Sequence, residues 1–223
     1  MKREGRFVPH VDSWLLDGLD EDEKKLASAI LAPCTAHLMP AGSRRRIGDL
    51  VPADALIVES GFLVVRASSR SARGVVVAEA GAGSVLLAPN DREHLQALAD
   101  CWVTVLPPSQ LEGLLAMPSV ATTLFRDLGT ALRLRQDAMS YLGNVRHVDR
   151  VRLKLLQLAK QFGRVSPDGI RLGFPVTHDV LAGMIASARE TVTRCMDQLE
   201  RDGLVVRDGH SYRLHISPEE LEA

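Results

Sequence analysis

Residues 177–203, THDVLAGMIASARETVTRCMDQLERDG, constrain the fold of this chain more than any other stretch. Apolar residues recur there at helical spacing in two short runs that follow each other closely. The hydroxyl of Thr177 is a suitable N-cap for the first helix, and Asp179 adds negative charge to its first turn. The small residues Ala182 and Gly183 allow a second helix to cross at short distance. The stretch therefore predicts a helix-turn-helix.

The second helix of this pair is expected to run over residues 188–201. The chain turns near Ala186, Ser187 is the predicted N-cap, and Gly203 ends the helix. Its apolar side points inward. Four polar residues near its N-terminus lie on the other side: Arg189, Glu190, Thr193 and Arg194.

These side chains suit base recognition in the DNA major groove, which helices of this kind enter with their N-terminal residues. An arginine matches guanine O6 and N7, and a glutamate accepts from cytosine N4. The following residues, 204–216, are predicted to form a β-hairpin with Asp208 and Gly209 at its turn. A helix-turn-helix followed by a hairpin is a winged helix.

The motif SARETVTR at residues 187–194, followed by Leu-Glu-x-x-Gly-Leu at 199–204, resembles the signature of the cyclic AMP receptor/FNR (Crp/Fnr) family of bacterial transcription factors. The resemblance covers residues 150–216 well and the rest of the chain by layout. It implies that Arg189, Glu190 and Arg194 read bases, in the receptor branch within a TGTGA-type half-site.

The resemblance also implies a homodimer on palindromic double-stranded DNA, a surface that contacts RNA polymerase, and a location in the bacterial cytoplasm. Four polar residues around the helix pair and the hairpin are candidate phosphate contacts, which would set the position on DNA without reading sequence. They are Thr177, Thr191, His210 and Ser211.

Charge is distributed unevenly along the chain, although its net charge is −1. Residues 146–216 contain 12 Lys and Arg against 8 Asp and Glu, whereas residues 1–145 contain 15 against 17. The excess of positive charge thus coincides with the predicted winged helix, as expected for a DNA-binding domain.

Other classes of protein find little support in the sequence. The cysteines Cys34, Cys101 and Cys195 are far apart, so a disulfide framework, an iron–sulfur centre and a metal site are not expected. The chain shows no apolar run of about 18 residues and no signal peptide. Because no phosphate loop or nucleophile–base set is present, we expect neither an enzyme nor a cofactor.

The predicted fold is α+β, with an N-terminal β-roll like that of cyclic-nucleotide-binding domains, a long dimerisation helix and a C-terminal winged helix. The expected domains are residues 1–116, 117–146 and 147–223. Short helices open the chain. Valine-rich runs separated by Gly and Pro predict strands at 36–38, 56–59, 61–66, 75–80, 85–87 and 102–106. The triplet Arg44-Arg45-Arg46 is interpreted as a solvated loop.

The effector site departs from the family pattern. Cyclic-nucleotide binders carry a Gly-Glu pair and then an Arg-Ser or Arg-Thr pair, but residues 81–94 read GAGSVLLAPNDREH. No Gly-Glu follows the strand, and Arg92 is flanked by Asp91 and Glu93. The sequence therefore favours a different small-molecule effector or none. A genuine cyclic AMP response stays an alternative, as does a haem sensor with an axial ligand among His37, His94, Cys34 and Cys101.

Residues 118–145 are predicted to form the long helix. Positions 121, 124, 128, 131, 135, 138, 142 and 145 step by three and four and are apolar or small except for Arg135, which indicates a heptad seam. Together with a second apolar edge at Leu132 and Met139, this seam favours a parallel homodimer. By resemblance, Arg135 and Gln136 are candidates to face an effector, although Arg135 could equally pair with a carboxylate. Gly143-Asn144 is the expected hinge.

A further alternative for the whole protein is a small-molecule sensor that signals mainly through protein contacts.

Overall fold

The computed structural model describes residues 14–46, 53–68, 74–88, 92–142, 146–217, 219 and 221. The predicted hinge at Gly143-Asn144 and the seam residue Val145 lie outside the described residues. The chain divides into two compact units. One comprises residues 1–65 and 78–132, and the other comprises residues 66–77 and 133–223.

The first unit opens with a 3-10 helix, Trp14–Leu16, and helix α1, Glu21–Leu31. Helix α1 begins with a capping box. The side chain of Asp20 accepts hydrogen bonds from the amides of Asp22 and Glu23. In return, the Glu23 carboxylate accepts a hydrogen bond from the Asp20 amide. This reciprocal pairing satisfies helix-end donors and explains why a run of acidic residues starts the helix at this point.

The β-roll consists of two antiparallel four-stranded sheets, with strand orders β1-β8-β3-β6 and β2-β7-β4-β5. Strand β3 places Leu56, Ile57 and Val58 on both of its faces, and all three are fully buried. Such continuous apolar runs are typical of strands covered on both sides. The expected fold class is thus confirmed. The strands are β1 Thr35–Met39, β2 Arg44–Arg45, β3 Ala55–Ser60, β4 Phe62–Ala67, β5 Val75–Gly81, β6 Ser84–Leu87, β7 Glu93–Ala97 and β8 Cys101–Leu106.

Two strands were not predicted. Arg44–Arg45, expected as a loop, forms the short exposed edge strand β2, which pairs with β7 through Arg44 and Gln96. Strand β7 itself alternates polar residues with Leu95 and Ala97, which are fully buried. Only two apolar positions mark β7 in the sequence, so its pattern was too short to distinguish it from a loop.

Helix α2, Pro108–Leu115, lies in the first unit. The long α3, Pro118–Leu142, begins there and continues past Leu132, where that unit ends. One side of α3 packs on its own unit, because Val120 and Leu124 are buried in a cluster with Leu15, Leu31 and Leu114. Leu124 is only 3% exposed, so it does not lie on an outward seam.

The exposed apolar side of α3 is displaced by one residue from the predicted seam. Its members are Phe125, Leu128, Leu132 and Met139, with exposures of 80%, 37%, 57% and 71%. They follow the steps three, four and seven, which are heptad steps. The prediction of Leu124 as a seam residue was wrong, because both stripes show the same spacing and only packing reveals which one the first unit uses.

The second unit contains helices α4, His147–Phe162, α5, His178–Met184, and α6, Arg189–Arg201. It also contains an antiparallel sheet of order β11-β12-β10-β9. The strands are β9 Gly163–Ser166, β10 Gly169–Leu172, β11 Val205–Asp208 and β12 Ser211–Leu214. Its core is formed by fully or nearly fully buried residues of the three helices: Val151, Leu155, Leu158, Leu181, Val192, Met196 and Leu199. This arrangement is the predicted winged helix.

In the helix pair and hairpin, the N-cap of α6 and the hairpin loop differ from the prediction, whereas the turn at Ala186 agrees with it. The N-cap of α6 is Ala188 rather than Ser187, because the Ser187 amide still donates to Ala182 O and so belongs to the turn that ends α5. Ala186 makes that turn with a positive φ of 49°. The hairpin loop is Gly209-His210, one residue later than predicted, since Asp208 pairs with Ser211 across the strands.

Gly203 ends α6 as predicted. Its φ is +75°, its amide donates to Glu200 O, and the amide of Leu204 donates to Leu199 O. These two bonds define a Schellman motif, which requires a left-handed residue and so favours glycine.

Candidate nucleic-acid interface

Helix α6 separates its apolar and polar residues cleanly. Val192, Cys195, Met196 and Leu199 are buried, while Arg189, Glu190 and Arg194 are exposed. The three exposed residues lie in the first two turns, where a recognition helix contacts bases. Thr193, also predicted to read bases, is only partly exposed.

A groove of about 560 Å³ runs beside the N-terminus of α6. It brings together three of the predicted DNA-contacting residues from different elements: Thr177 before α5, Arg189 on α6 and His210 in the hairpin loop. The remaining lining residues are Pro175, Val176, His178, Asp179, Arg207 and Tyr212. One concave surface thus collects Thr177 and His210, predicted DNA contacts that are 33 residues apart in sequence.

Arg207 is a member of this groove that the sequence reasoning missed. It is exposed in β11, and its Nε lies 3.4 Å from Gly209 O. The alternation of buried Val205 and exposed Arg207 could have placed it on the outward side of the strand. Its charge adds to that of Arg189 on the same surface.

The predicted phosphate contacts occupy different environments. Thr177 is exposed, and its hydroxyl caps α5 by accepting from the Val180 amide at 3.2 Å. Thr191 is partly exposed and His210 fully so. Ser211 is buried, and its hydroxyl donates to the carbonyl oxygen of Leu172, which ties β12 to β10. The structure therefore gives Ser211 an internal partner.

His178, which the sequence reasoning did not single out, links three elements of the groove. Its Nδ1 lies 2.8 Å from Thr193 Oγ1 on α6, and its Nε2 lies 3.0 Å from Tyr212 Oη on β12. Thr193 Oγ1 in turn donates to Arg189 O at 3.0 Å. The single imidazole of α5 is thus bonded to both the recognition helix and the hairpin.

Burial favours the neutral form of the His178 imidazole in this network. Burial lowers the pKa of His178; Asp197 and Glu200 work against this effect, while Arg189 and Arg207 add to it. Burial also raises the pKa of the Tyr212 hydroxyl. An imidazole that is only partly accessible to water resists protonation, so its hydrogen bonds, rather than a charge, act on its neighbours.

Asp179 has a partner within the same unit. Its Oδ2 accepts from Arg66 Nη2 at 3.0 Å, and Arg66 is only 1% exposed. Gly183 allows this approach, because a Cβ at that position would lie 3.2 Å from Arg66 Nη1 and 3.1 Å from Val76 Cγ2. The small residue of α5 that was expected to admit a second helix thus also admits the 66–77 segment.

The candidate effector-facing residues Arg92, Arg135 and Gln136 are exposed. Asp91, which precedes Arg92, lies outside the described residues. Among the residues that the structure describes, no group of three or more His, Cys, Asp or Glu could hold a metal ion. No helix in the described ranges is both long and apolar enough to span a bilayer. Cys34, Cys101 and Cys195 are buried free thiols, and burial raises the pKa of Cys101 to about 11.

Comparison with known proteins agrees with this geometry. Residues 149–223 match the Crp-like helix-turn-helix domain family. A relative with an assigned role is the global nitrogen regulator of Synechococcus elongatus, 29% identical over 94 residues. That alignment covers 42% of this chain and 42% of the relative, less than half the length of either.

Solved structures share the fold over most of the chain. A mutant of CooA from Carboxydothermus hydrogenoformans has a TM-score of 0.71 at 18% identity and covers 87% of this chain and 88% of its own. FixK2 from Bradyrhizobium japonicum has a TM-score of 0.67 at 20% identity, with coverages of 85% and 96%. The c-di-GMP responsive regulator CLP of Xanthomonas campestris has a TM-score of 0.66 at 20% identity, with coverages of 89% and 100%.

The fold and the helix pair together define a structural class, proteins in which a winged helix follows an N-terminal β-roll. The predicted resemblance is confirmed for the C-terminal part of the chain, since residues 149–223 match the Crp-like helix-turn-helix domain family. The solved structures show that the rest of the chain shares the fold of such proteins.

Proposed function

We propose that this protein is a homodimeric transcription regulator that reads a palindromic, TGTGA-like DNA site through α6. The observation that carries the proposal is the groove that joins Thr177, Arg189, Arg207 and His210 beside the exposed N-terminal turns of α6. A DNA-reading surface needs positively charged groups from more than one element around a helix that can enter the major groove.

Arg189, Glu190 and Arg194 are the proposed base readers, because all three project from the exposed side of α6. Arg189 and Arg194 suit guanine, and Glu190 suits cytosine. Thr193 stays in the proposed set, although its hydroxyl already bonds to Arg189 O and faces His178. Thr177, Thr191 and His210 are the proposed phosphate contacts. Ser211 is not among them, because it is buried and its hydroxyl donates to Leu172 O.

Homodimerisation is proposed through the exposed apolar stripe of α3. Phe125, Leu128, Leu132 and Met139 lie at heptad spacing, and 57% or more of three of these side chains is exposed. A second copy of the same helix covers such a stripe at matching positions, as in a parallel coiled coil. Two α6 helices about 34 Å apart would then meet successive major grooves of a palindrome.

Control by an effector other than cyclic AMP, or constitutive activity, fits the missing Gly-Glu pair after β5. The fold is compatible with a different effector, since CLP is described as c-di-GMP responsive. A cyclic AMP response and signalling mainly through protein contacts are the alternatives. Contact with RNA polymerase is proposed from the family alone.

The test is fluorescence anisotropy with purified, ligand-free protein, a TGTGA-N6-TCACA duplex and a scrambled duplex of the same composition. We expect selective binding that weakens steeply as salt rises, because bound phosphates release counterions. A parallel selection from a randomised duplex pool separates a wrong operator from a protein that does not read DNA. If neither the designed duplex nor any enriched pool sequence binds selectively, the proposal is wrong.

A further inference from the structure

For a neutral ring, one arrangement of protons satisfies the three hydrogen bonds around His178. The Thr193 hydroxyl carries a single proton, which it donates to Arg189 O at 3.0 Å. Thr193 Oγ1 must therefore accept the bond from His178 Nδ1, 2.8 Å away. A neutral ring then keeps a lone pair on Nε2, which accepts from the Tyr212 hydroxyl at 3.0 Å.

The Tyr212 side of this network is held inside the fold. Tyr212 is 5% exposed, and His178 is the partner that the structure gives to its hydroxyl, which would otherwise be a costly buried polar group. Thr193 is one turn after Arg189 on α6 and bonds to the carbonyl of that residue. The imidazole therefore connects the backbone that carries Arg189 with the strand that follows the hairpin loop.

We propose that His178 is a positioning residue of the DNA-reading surface: as the neutral Nδ1–H tautomer it fixes α6 and the hairpin relative to each other. This inference rests on the proposed function. Without the bridge, Arg189 on α6 and the hairpin groups Arg207 and His210 would have to be ordered at the moment of binding. That ordering would lower affinity for the selected site, because preorganised groups lose less entropy on association.

Burial favours the neutral form of the His178 ring, whereas the charges around it act in both directions. Asp197 and Glu200 of α6 raise the pKa of His178, and Arg189 on α6 and Arg207 on β11 lower it. Asp179, the next residue along α5, is paired with Arg66. The bridge consequently acts through two directed hydrogen bonds.

The proposal is tested with two nearly isosteric substitutions, one on each side of the ring. Tyr212→Phe removes the bond to Nε2, and Thr193→Val removes the bonds of Thr193 Oγ1 to Nδ1 and to Arg189 O. His178→Ala removes both bonds of the ring, and His215→Gln, at an exposed position after β12, is the matched histidine control. Each full-length variant is titrated by anisotropy against the best duplex from the randomised pool and against a scrambled duplex.

We expect Tyr212→Phe to weaken binding to the selected duplex about 3- to 10-fold, the net value of one hydrogen bond, and to leave binding to scrambled DNA unchanged. In the His178→Ala background, Tyr212→Phe should have no further effect, because the bond it removes is already lost. His215→Gln should behave as wild type. Thermal unfolding of each variant separates a loss of fold from a loss of positioning.

A spectroscopic signature supplies the second readout. Long-range ¹H–¹⁵N correlation spectra of wild-type protein should show His178 as the Nδ1–H tautomer, and Tyr212→Phe should alter the Nε2 shift. If the wild type reads DNA selectively but Tyr212→Phe and His178→Ala bind as well as wild type, this inference fails and the proposed function stands. If the wild type selects no duplex, both fail, whatever the tautomer.

Discussion

At the scale of single residues, Arg189 is central to the proposed base contacts. It is exposed at the start of α6 and lines the groove shared with Thr177 and His210. Other arginines of the second unit have internal partners: Arg171 pairs with Asp208 at 2.9 Å and Arg213 with Asp168 at 3.0 Å. Those two pairs lie within the sheet, whereas Arg189 is proposed to contact bases.

Arg189→Ala should cost about 1–3 kcal/mol of binding free energy on the selected duplex and relax discrimination at one guanine. The physical reason is the loss of a two-bond contact with guanine O6 and N7. Anisotropy titrations with single-base variants of the duplex measure both effects. Arg201→Ala, at the opposite end of α6, is the control and should keep wild-type discrimination. An Arg189→Ala protein with unchanged affinity and selectivity would contradict the assignment.

His178 should make the stability of the fold depend on pH. Burial lowers its pKa in the folded state, so the unfolded chain takes up a proton at about pH 6.5 while the folded chain stays neutral. The unfolded state then binds more protons, and the free energy of unfolding falls as pH drops below that value. Once the pH is below the pKa of His178 in the folded state, the free energy of unfolding falls no further on account of this residue.

Urea unfolding of wild-type protein and His178→Gln between pH 5 and 8 measures this contribution. We expect the variant to show a shallower fall in stability toward acid, and the two curves to run parallel near pH 8. Equal slopes in the acid range would show that His178 does not titrate differently in the folded and unfolded states.

At the scale of elements, the end of α6 depends on backbone conformation rather than on side-chain contacts. Gly203 has a φ of +75°, and a Cβ placed there would meet no atom within 4 Å. Gly129, within α3, also has open space around its Cα but lies inside a helix. The two glycines therefore form a matched pair in which only the backbone differs.

Gly203→Ala should destabilise the protein by about 1–2 kcal/mol, because the Cβ of an L-residue makes the left-handed conformation sterically unfavourable. Gly129→Ala should instead stabilise it by up to about 1 kcal/mol through helix propensity. Chemical denaturation of both variants gives the comparison. If both substitutions changed the free energy of unfolding in the same direction, the left-handed conformation at Gly203 would not be what limits stability.

The exposed stripe of α3 predicts where a partner chain would pack. Leu132→Asp should dissociate the proposed dimer at micromolar concentration, because a carboxylate would be buried in an apolar seam. Thr130→Asp is the control on the same helix. Thr130 is exposed and falls at the heptad position farthest from the stripe. Sedimentation velocity of the two variants checks the result. A wild-type monomer, or equal behaviour of the variants, would contradict the proposed interface.

At the scale of the whole molecule, the β-roll shares its fold with known regulators but departs from the cyclic-nucleotide pattern in sequence. Residues 81–94 contain no Gly-Glu pair, and Arg92 has acidic neighbours on both sides. We expect calorimetric titration with cyclic AMP to give no binding heat and DNA affinity to be unchanged by its addition. Cyclic AMP-dependent rescue of selective DNA binding would overturn this expectation and restore the alternative of a genuine cyclic AMP response.

Local sequence patterns were sufficient for the features whose cause is local. The N-cap at Thr177, the stop at Gly203 and most strands of the roll depend on residue types within a few positions, and the structure confirms them. The position of the hairpin loop was missed by one residue. Pairing of Asp208 with Ser211 sets that position, and such pairing involves both strands at once.

The sequence by itself determined the winged helix, the exposed polar residues of α6 and the family resemblance, because amphipathic spacing and a contiguous motif are properties of neighbouring residues. Only the tertiary structure decided that Leu124 packs inward while Phe125 stays exposed, since two stripes of α3 share one period. It also placed His178 between Thr193 and Tyr212. A hydrogen-bonded bridge across 34 residues depends on how three elements pack, and no local pattern encodes that packing.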